Sequence, residues 1–394
     1  MNREGVPAPD SHLRPQPSTT RAISVIVPVH QGGEHLERVL TALCLSQLSR
    51  ESWELIVVDD ASTDGSAAIA AAKADLVIRL TGRPRGPAYA RNRGLEASRG
   101  SFVAFVDADV LVHPLALPRM VEAISQDDTI GAIVGTYDAG RACGGVVSEY
   151  RNLLRHFEHV SSIGDTDAFA AGLALVQRSA CANAGMFDEW HFPRPQAEAL
   201  EFGNRLRSLG YRIVRRPDVL ATHLKQWTVG SWLRGDLLDR GMSVARLNEF
   251  QTLRARADRL YLSTPVDALL AWTALMAALL GAALGNALLG VLAGASVFAV
   301  VLRNLKLFGS FLRARGAAFA TTAVPLHVVG CAVHGLASAA GRVMYHAVGE
   351  SQPDPVVQAF AEVGARTWPP VPAPRVSSRA DGATTEPERA GNTP

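Results

Sequence analysis

The sequence predicts an α/β body built on a mostly parallel sheet, followed by transmembrane helices towards the C-terminus. Two observations carry this expectation. Strand-like apolar runs alternate with helix-like segments from residue 23 to residue 109. No charged residue occurs between 268 and 302, too long a run for one span of about 20 residues and enough for two short ones.

The elements follow in order. "ISVIVPV" (23–29) reads as a buried strand, and "EHLERVLTALCLS" (34–46) spaces its apolar residues as a helix does. "WELIVVDD" (53–60) is a second strand and "GSAAIAAAKA" (65–74) a second helix. "DLVIRL" (75–80) and "GPAYARNRGLEAS" (86–98) repeat the pair, and "SFVAFVDAD" (101–109) is a fourth strand. In open parallel sheets ligands bind beyond the carboxyl ends of the strands. Asp59, Asp60, Asp107 and Asp109 all fall there.

Farther on, Gly285–Asn286 marks a turn between the two spans, and a third apolar stretch runs over 317–341, interrupted by Pro325, His327 and His334. Between them "RNLKLFGSFLRARG" (303–316) reads as a basic amphipathic helix on a negatively charged surface. The positive-inside tendency puts that segment, and with it the large N-terminal body, in the cytoplasm. The expected organisation is a disordered lead (1–20), an α/β domain (21–230), amphipathic interface helices (231–263), a region of about three spans (264–348) and a disordered tail (349–394). The lead has no apolar core of a secretory signal.

Composition narrows the function. The net charge of +2 with nearly balanced acids and bases argues against nucleic acid as a partner. Cys44, Cys143, Cys181 and Cys331 are scattered, without metal-ligand spacing, and read as reduced structural thiols. Neither GxGxxG nor GxxxxGK[ST] follows the first strand, and "PVHQGGE" lacks the basic residue of a nucleotidyltransferase loop. What remains is a crevice lined by carboxylates. Asp107 and Asp109 lie on one side of an extended strand end, where a divalent cation held against a diphosphate would satisfy both charges.

Four blocks in order and spacing carry a resemblance: "ISVIVPVHQGGEHLERVLTAL", "WELIVVDDASTDGS", "GPAYARNRGLEASRGSFVAFVDADV" and "GMFDEWHFPRPQAEALEFGNRLRSLGYRI". Over roughly 23–240 the chain resembles the family 2 glycosyltransferases, inverting enzymes of the GT-A fold that use nucleotide-sugar donors. The resemblance implies a Rossmann-like sheet and a UDP-sugar donor. It also implies a divalent cation, Mn²⁺ or Mg²⁺. Asp59, with Asp60 beside it, would hold the base, with Pro28 and Val29 in the same pocket. Arg91 and Asn92 would close over the nucleotide and diphosphate. Asp107 would sit near ribose and metal, and Asp109 would be the main metal ligand. His223 resembles a further metal or phosphate ligand, and His113 is read as structural.

The family's catalytic Asp is expected in "QAEALEFGNRLRSLGYRI", but Ala199 stands in its slot, with Glu198 before it and Glu201 after. Glu198 as base (with Glu201 on the same helix face), an acceptor that is already ionised, and a donor-binding protein without transfer remain three open explanations. Trp227 and Trp232 with the basic Lys225, Arg234 and Arg240, leading into the spans, read as bilayer-interface residues, and Trp227, Lys225 and Arg240 mark an acceptor region there. By resemblance to membrane-attached members, the acceptor is expected to be lipid-linked or membrane-located, and the chain a multi-pass protein of the cell membrane.

Overall fold

The computed structural model describes residues 22–348 apart from 142–143, 193, 196 and 252–263. The expected lead and tail lie outside the described residues, as does the end of the expected interface segment.

The chain opens with β1 (Ile23–Val29), α1 (Gly33–Cys44), β2 (Trp53–Asp60), α2 (Ser66–Ala71), β3 (Leu76–Leu80), α3 (Pro87–Ala97) and β4 (Phe102–Val106). Every residue of β1 and β2 is buried, which is why both read as unbroken apolar runs rather than alternating ones. There follow β5 (Val110–Val112), α4 (Ala116–Ser125), β6 (Ile130–Tyr137), α5 (Val146–Val160), β7 (Gly164–Asp165), β8 (Leu173–Gln177), α6 (Arg178–Ala184), α7 (Glu198–Ser208) and β9 (Arg212–His223). One sheet results, in the order β3-β2-β1-β4-β8-β6-β9-β5, with β7 also on β9. Its first four strands are parallel. Beyond β4 it is mixed, because β8 runs antiparallel to both β4 and β6.

Helices cover both faces. Leu36, Val39, Leu40 and Leu43 of α1 pack with Leu117 and Met120 of α4 on one side. Ala88 and Leu95 of α3, Cys181 of α6, and Phe202 and Leu206 of α7 fill the other. The parallel register aligns Val29 with Asp59, and Asp59 with Arg79, so the carboxyl ends of β1, β2 and β3 share one edge.

After β9 come α8 (Val229–Arg234), a π-helical turn (Gly235–Gly241) and α9 (Met242–Gln251). Then follow α10 (Pro265–Leu284), α11 (Ala287–Arg303), α12 (Leu305–Arg315) and α13 (Ala317–Val348). The expected turn between the first two spans is there. Gly285 takes a left-handed conformation (φ 63°) and the Asn286 side chain caps α11 by accepting from Leu288 N at 2.9 Å. Arg303 at the end of α11 donates to Asp267 in the first turn of α10 at 2.7 Å, which closes the hairpin. Helices α10 and α13 are each long and apolar enough to cross a membrane. Helices α11 and α12 are bent by 78°, and together they would make a third, broken span.

Two expectations change here. Segment 303–316 is a helix over most of its length, but it does not keep an apolar face of its own. Leu307, Phe308 and Phe311 are buried among Tyr150 of α5, Trp232 of α8 and Ala323 of α13. Leu305 and Leu312 stay exposed. Aromatic surface within the protein is available to α12, and burying three large side chains there outweighs leaving them outside. Trp232, read as an interface residue from its basic neighbours, is 1% exposed.

Candidate active site

The cleft is built at the carboxyl edge of the parallel strands. Asp59 is buried at the end of β2, where Oδ1 accepts from Ser62 N (3.0 Å) and Arg79 Nε lies 3.7 Å from Oδ2. Asp60 has a different task. Both its oxygens accept backbone N–H groups, Arg85 N at 2.9 and 3.0 Å and Gly86 N at 2.7 Å. Gly86, at φ 92°, starts α3 from a backbone conformation that suits glycine. Asp60 therefore fixes the turn that delivers Arg91. Pro28 and Val29 are buried in the last residues of β1, with Val29 level with Asp59.

Arg91 is the central cation. Its guanidinium, 4% exposed, donates to Asp107 Oδ1 at 2.8 Å and to Glu198 Oε1 at 3.1 Å. Burial works against its charge, but Asp107 and Glu198 more than offset that and hold it protonated. Asn92, next in sequence, turns away. Its amide donates to Phe187 O and Glu189 Oε2 and accepts from Phe187 N, pinning the loop before α7.

Asp107 and Asp109 do not lie on an extended strand. β4 ends at Val106, and Val110 N donates to Asp107 O at 3.0 Å, making 107–110 a tight turn. The two-residue alternation of a strand does not apply to them. Asp107 turns to Arg91 and Asp109 to His223, whose Nε2 lies 3.8 Å from Oδ2. Gly172 makes room for this turn, since a Cβ there would collide with Tyr137 Oη and lie 3.1 Å from Asp107 Oδ2.

His223 ends β9. Its ring stacks on Tyr137 at 5.0 Å between centroids, and Nδ1 lies 3.1 Å from Asn152 Oδ1. Burial, with Arg155 and Lys225 nearby, pushes its pKa down to about 3, so the imidazole is neutral. Desolvation raises Asp109 above the ordinary aspartate value, against the pull of Lys225 and His35. With Nδ1–H given to Asn152, the bare Nε2 and the Asp109 carboxylate are two acceptors facing one another. That is the chemistry of a divalent cation site. The separation is less than twice the bond of about 2.1 Å that Mg²⁺ makes to oxygen. Among the described residues no group of three or more His, Cys, Asp or Glu side chains is placed to hold a metal, so the protein would supply only part of a ligand set.

The three acidic-slot residues separate. Glu198 pairs with Arg91 and is 7% exposed. Glu201 holds Arg205 through both oxygens (2.6 and 2.8 Å), and Arg205 in turn holds the carbonyls of Ala184 and Met186. Ala199 packs against the apolar layer under α3 and α7. Just beyond His223 in the chain, the Trp227 ring has Lys225 Nζ at 4.3 Å and Arg151 Cζ at 5.2 Å from its centroid, and its backbone is held by Ser148. Arg240 lies in the π-helical turn. His113 Nε2 donates to Asp138 Oδ2 at 2.8 Å, beside Thr222 of β9.

The chain from residue 24 to 183 matches the family described as "Glycosyl transferase family 2". Residues 24–183 thus carry a glycosyl transferase family 2 domain. The chain's GT-A-like domain is similar to the glycosyltransferase AglE of Haloferax volcanii, 26% identical over 210 residues, or 52% of this chain and 68% of the relative. It is also similar to the undecaprenyl-phosphate 4-deoxy-4-formamido-L-arabinose transferase of Sodalis glossinidius, 33% identical over 119 residues, or 28% of this chain and 36% of the relative. The chain thus spans two thirds of the first relative and about a third of the second. In fold it is similar to the mannosyltransferase PcManGT from Pyrobaculum calidifontis, solved with GDP-Man and Mn²⁺. The TM-score is 0.51 at 19% identity, over 84% of this chain and 88% of that one.

The sequence reading did not single out Asn152, Tyr137 or Gly172. Asn152 lies in a helix, Tyr137 at the end of a strand and Gly172 in a turn, each 65 to 86 positions from the residue it serves, and nothing local marks it.

Proposed function

We propose that this glycosyltransferase is anchored in the membrane and moves a sugar, with inversion, from a UDP-sugar to a lipid-linked phosphate at the membrane surface. Its catalytic domain would lie on the cytoplasmic side. The observation that carries this reading is the approach of His223 Nε2 to Asp109 Oδ2 at 3.8 Å, a short way along the chain from Trp227, whose ring has Lys225 and Arg151 within reach. A donor diphosphate and an acceptor anion would meet there, on a segment that leads straight into the membrane helices.

Asp109 and His223 Nε2 would hold the divalent cation, which when bound neutralises the departing nucleoside diphosphate. Asp59 would bind the base beside Val29. Arg91 would orient Asp107 towards the ribose. Lys225 would attract the acceptor phosphate. A phosphate oxygen is already ionised, so attack on the anomeric carbon needs no proton acceptor where Ala199 stands. The similarity to an undecaprenyl-phosphate transferase supports this class of acceptor.

A second reading, a donor-binding partner in glycan assembly without transfer, has one observation in its favour: Glu198, the nearest acid to Ala199, is tied up by Arg91. Turnover separates the two. The detergent-solubilised chain is incubated with undecaprenyl phosphate and radiolabelled UDP-sugars, with Mn²⁺ or with EDTA, beside Asp109→Asn. Labelled lipid that requires both Mn²⁺ and Asp109 is the expected result. UDP binding by calorimetry without any labelled lipid leaves the non-catalytic reading, and no binding overturns both. Ala199→Asp is expected to give no gain in transfer, and a large gain would mean that the acceptor is a hydroxyl needing a base.

A further inference from the structure

Helix α5 makes a different long-range contact at each of five consecutive positions. Ser148 Oγ accepts from Trp227 N at 2.8 Å. Glu149 pairs with Arg315 of α12. Tyr150 Oη lies 3.1 Å from His327 Nδ1 in α13. Arg151 donates to the buried Asp236 at 2.7 Å, and Asp236 also accepts from Trp232 Nε1. Asn152 faces the end of β9, with Oδ1 3.1 Å from His223 Nδ1 and Nδ2 3.4 Å from His223 O.

That last contact has a defined polarity. The carbonyl of His223 can only accept, so the Asn152 amide presents its N–H₂ there and its oxygen to the ring. An oxygen at Nδ1 requires the proton on Nδ1, which leaves the Nε2 lone pair directed at Asp109. Stacking on Tyr137 fixes the ring plane. The four preceding residues of α5 are clamped to other elements, so the amide itself has little freedom.

We propose that Asn152 is a positioning residue, which sets the tautomer and orientation of His223 for the cation held with Asp109. This rests on the metal-dependent reading above. Outer partners of this kind, when removed, weaken metal affinity by about 10–100-fold. Nothing in the proposal has Asn152 touching donor or acceptor.

The test is Mn²⁺ binding by the full-length, detergent-solubilised protein in the presence of UDP, followed from the electron paramagnetic resonance signal of free Mn²⁺. Asn152→Leu keeps the size and removes the oxygen, Asn152→Ala removes it with no bulk to fit, and Asn152→Asp retains an acceptor. Tm is measured for each. The expected result is a Kd for Mn²⁺ raised about tenfold in the Leu and Ala variants, with Asn152→Asp within about twofold of the parent. UDP binding without Mn²⁺ should be unchanged throughout. Parent-like Mn²⁺ affinity in the Ala variant, or equal loss in Asn152→Asp, would overturn the proposal while leaving the metal site intact. Asp109→Asn is the control: if it too binds Mn²⁺ like the parent, the metal reading itself fails and this inference goes with it.

Discussion

The two halves of the cleft are built by opposite means. On the donor side, Asp59, Asp60, Arg91 and Asp107 come from successive βα units, and their partners are mostly backbone groups or side chains a few tens of positions away. On the acceptor side, His223 and Trp227 are held by α5, which is itself held by α8, the π-helical turn, α12 and α13 through contacts up to 177 positions apart. The donor half is a property of local sequence. The proposed acceptor half is braced by the C-terminal helices, so one edge of the candidate site rests mainly on nearby βα units and the other on contacts to helices far along the chain.

The strongest way to break that contrast is Arg151→Ala. Arg151 and Asp236 are both buried, and removing the arginine leaves the carboxylate only Trp232 Nε1 and His334 Nε2 as partners, at a cost near the lower end of about 3–5 kcal/mol. Thermal unfolding of the purified chain should register a large fall in Tm. Burial pushes Asp236 up, but His334, Arg151 and Trp232 outweigh it and its carboxyl lies below 3.8. A depressed carboxylate contributes stability above its unfolded value and loses it as the pH falls through the lower folded value. The deficit of Arg151→Ala should therefore be constant between about pH 8 and 5 and narrow only below about pH 4. A variant as stable as the parent would mean that α5 is not the strut described here.

Arg91→Lys sharpens the donor side. An ammonium cannot span Asp107 and Glu198 as the guanidinium does, so the carboxylates lose their fixed separation while the charge is kept. Transfer should fall on the order of 100-fold, and Tm should fall as well because one of the two carboxylates loses its bond to residue 91. Unchanged turnover would mean that the bridge is a structural tie only.

The contrast also explains what was legible. The strands β1 to β4, their helices and the turn at Gly285 and Asn286 could be read because period, composition and turn chemistry are local signals. The carboxylates stood out for the same reason, being charges at the ends of apolar runs. The turn at 107–110 could not be read, since two aspartates continue a strand pattern as readily as they end it. Nor could the burial of α12, because an amphipathic helix shows the same spacing whether its apolar side meets lipid or protein. Asn152 gave no sign at all, because its meaning comes from a strand end 71 positions later.

The smallest expected effect concerns Glu201, which sequence spacing placed beside Glu198. In the fold it faces Arg205, with 13% and 29% of the side chains exposed. Its bonds hold the arginine that supports Ala184 and Met186, the latter at a positive φ of 62°. Glu201→Gln removes one charge from a partly exposed pair, worth about 0.5–1 kcal/mol. Tm should drop slightly and turnover should not move. Since Glu198 is engaged by Arg91, a parent-like rate in Glu201→Gln removes the remaining acidic residue of that helix from the chemistry. An acceptor that brings its own negative charge then becomes the simplest account of a family 2 site with alanine where the base is expected. A drop in turnover without a drop in Tm would return Glu201 to the list of bases and weaken the case for a phosphate acceptor.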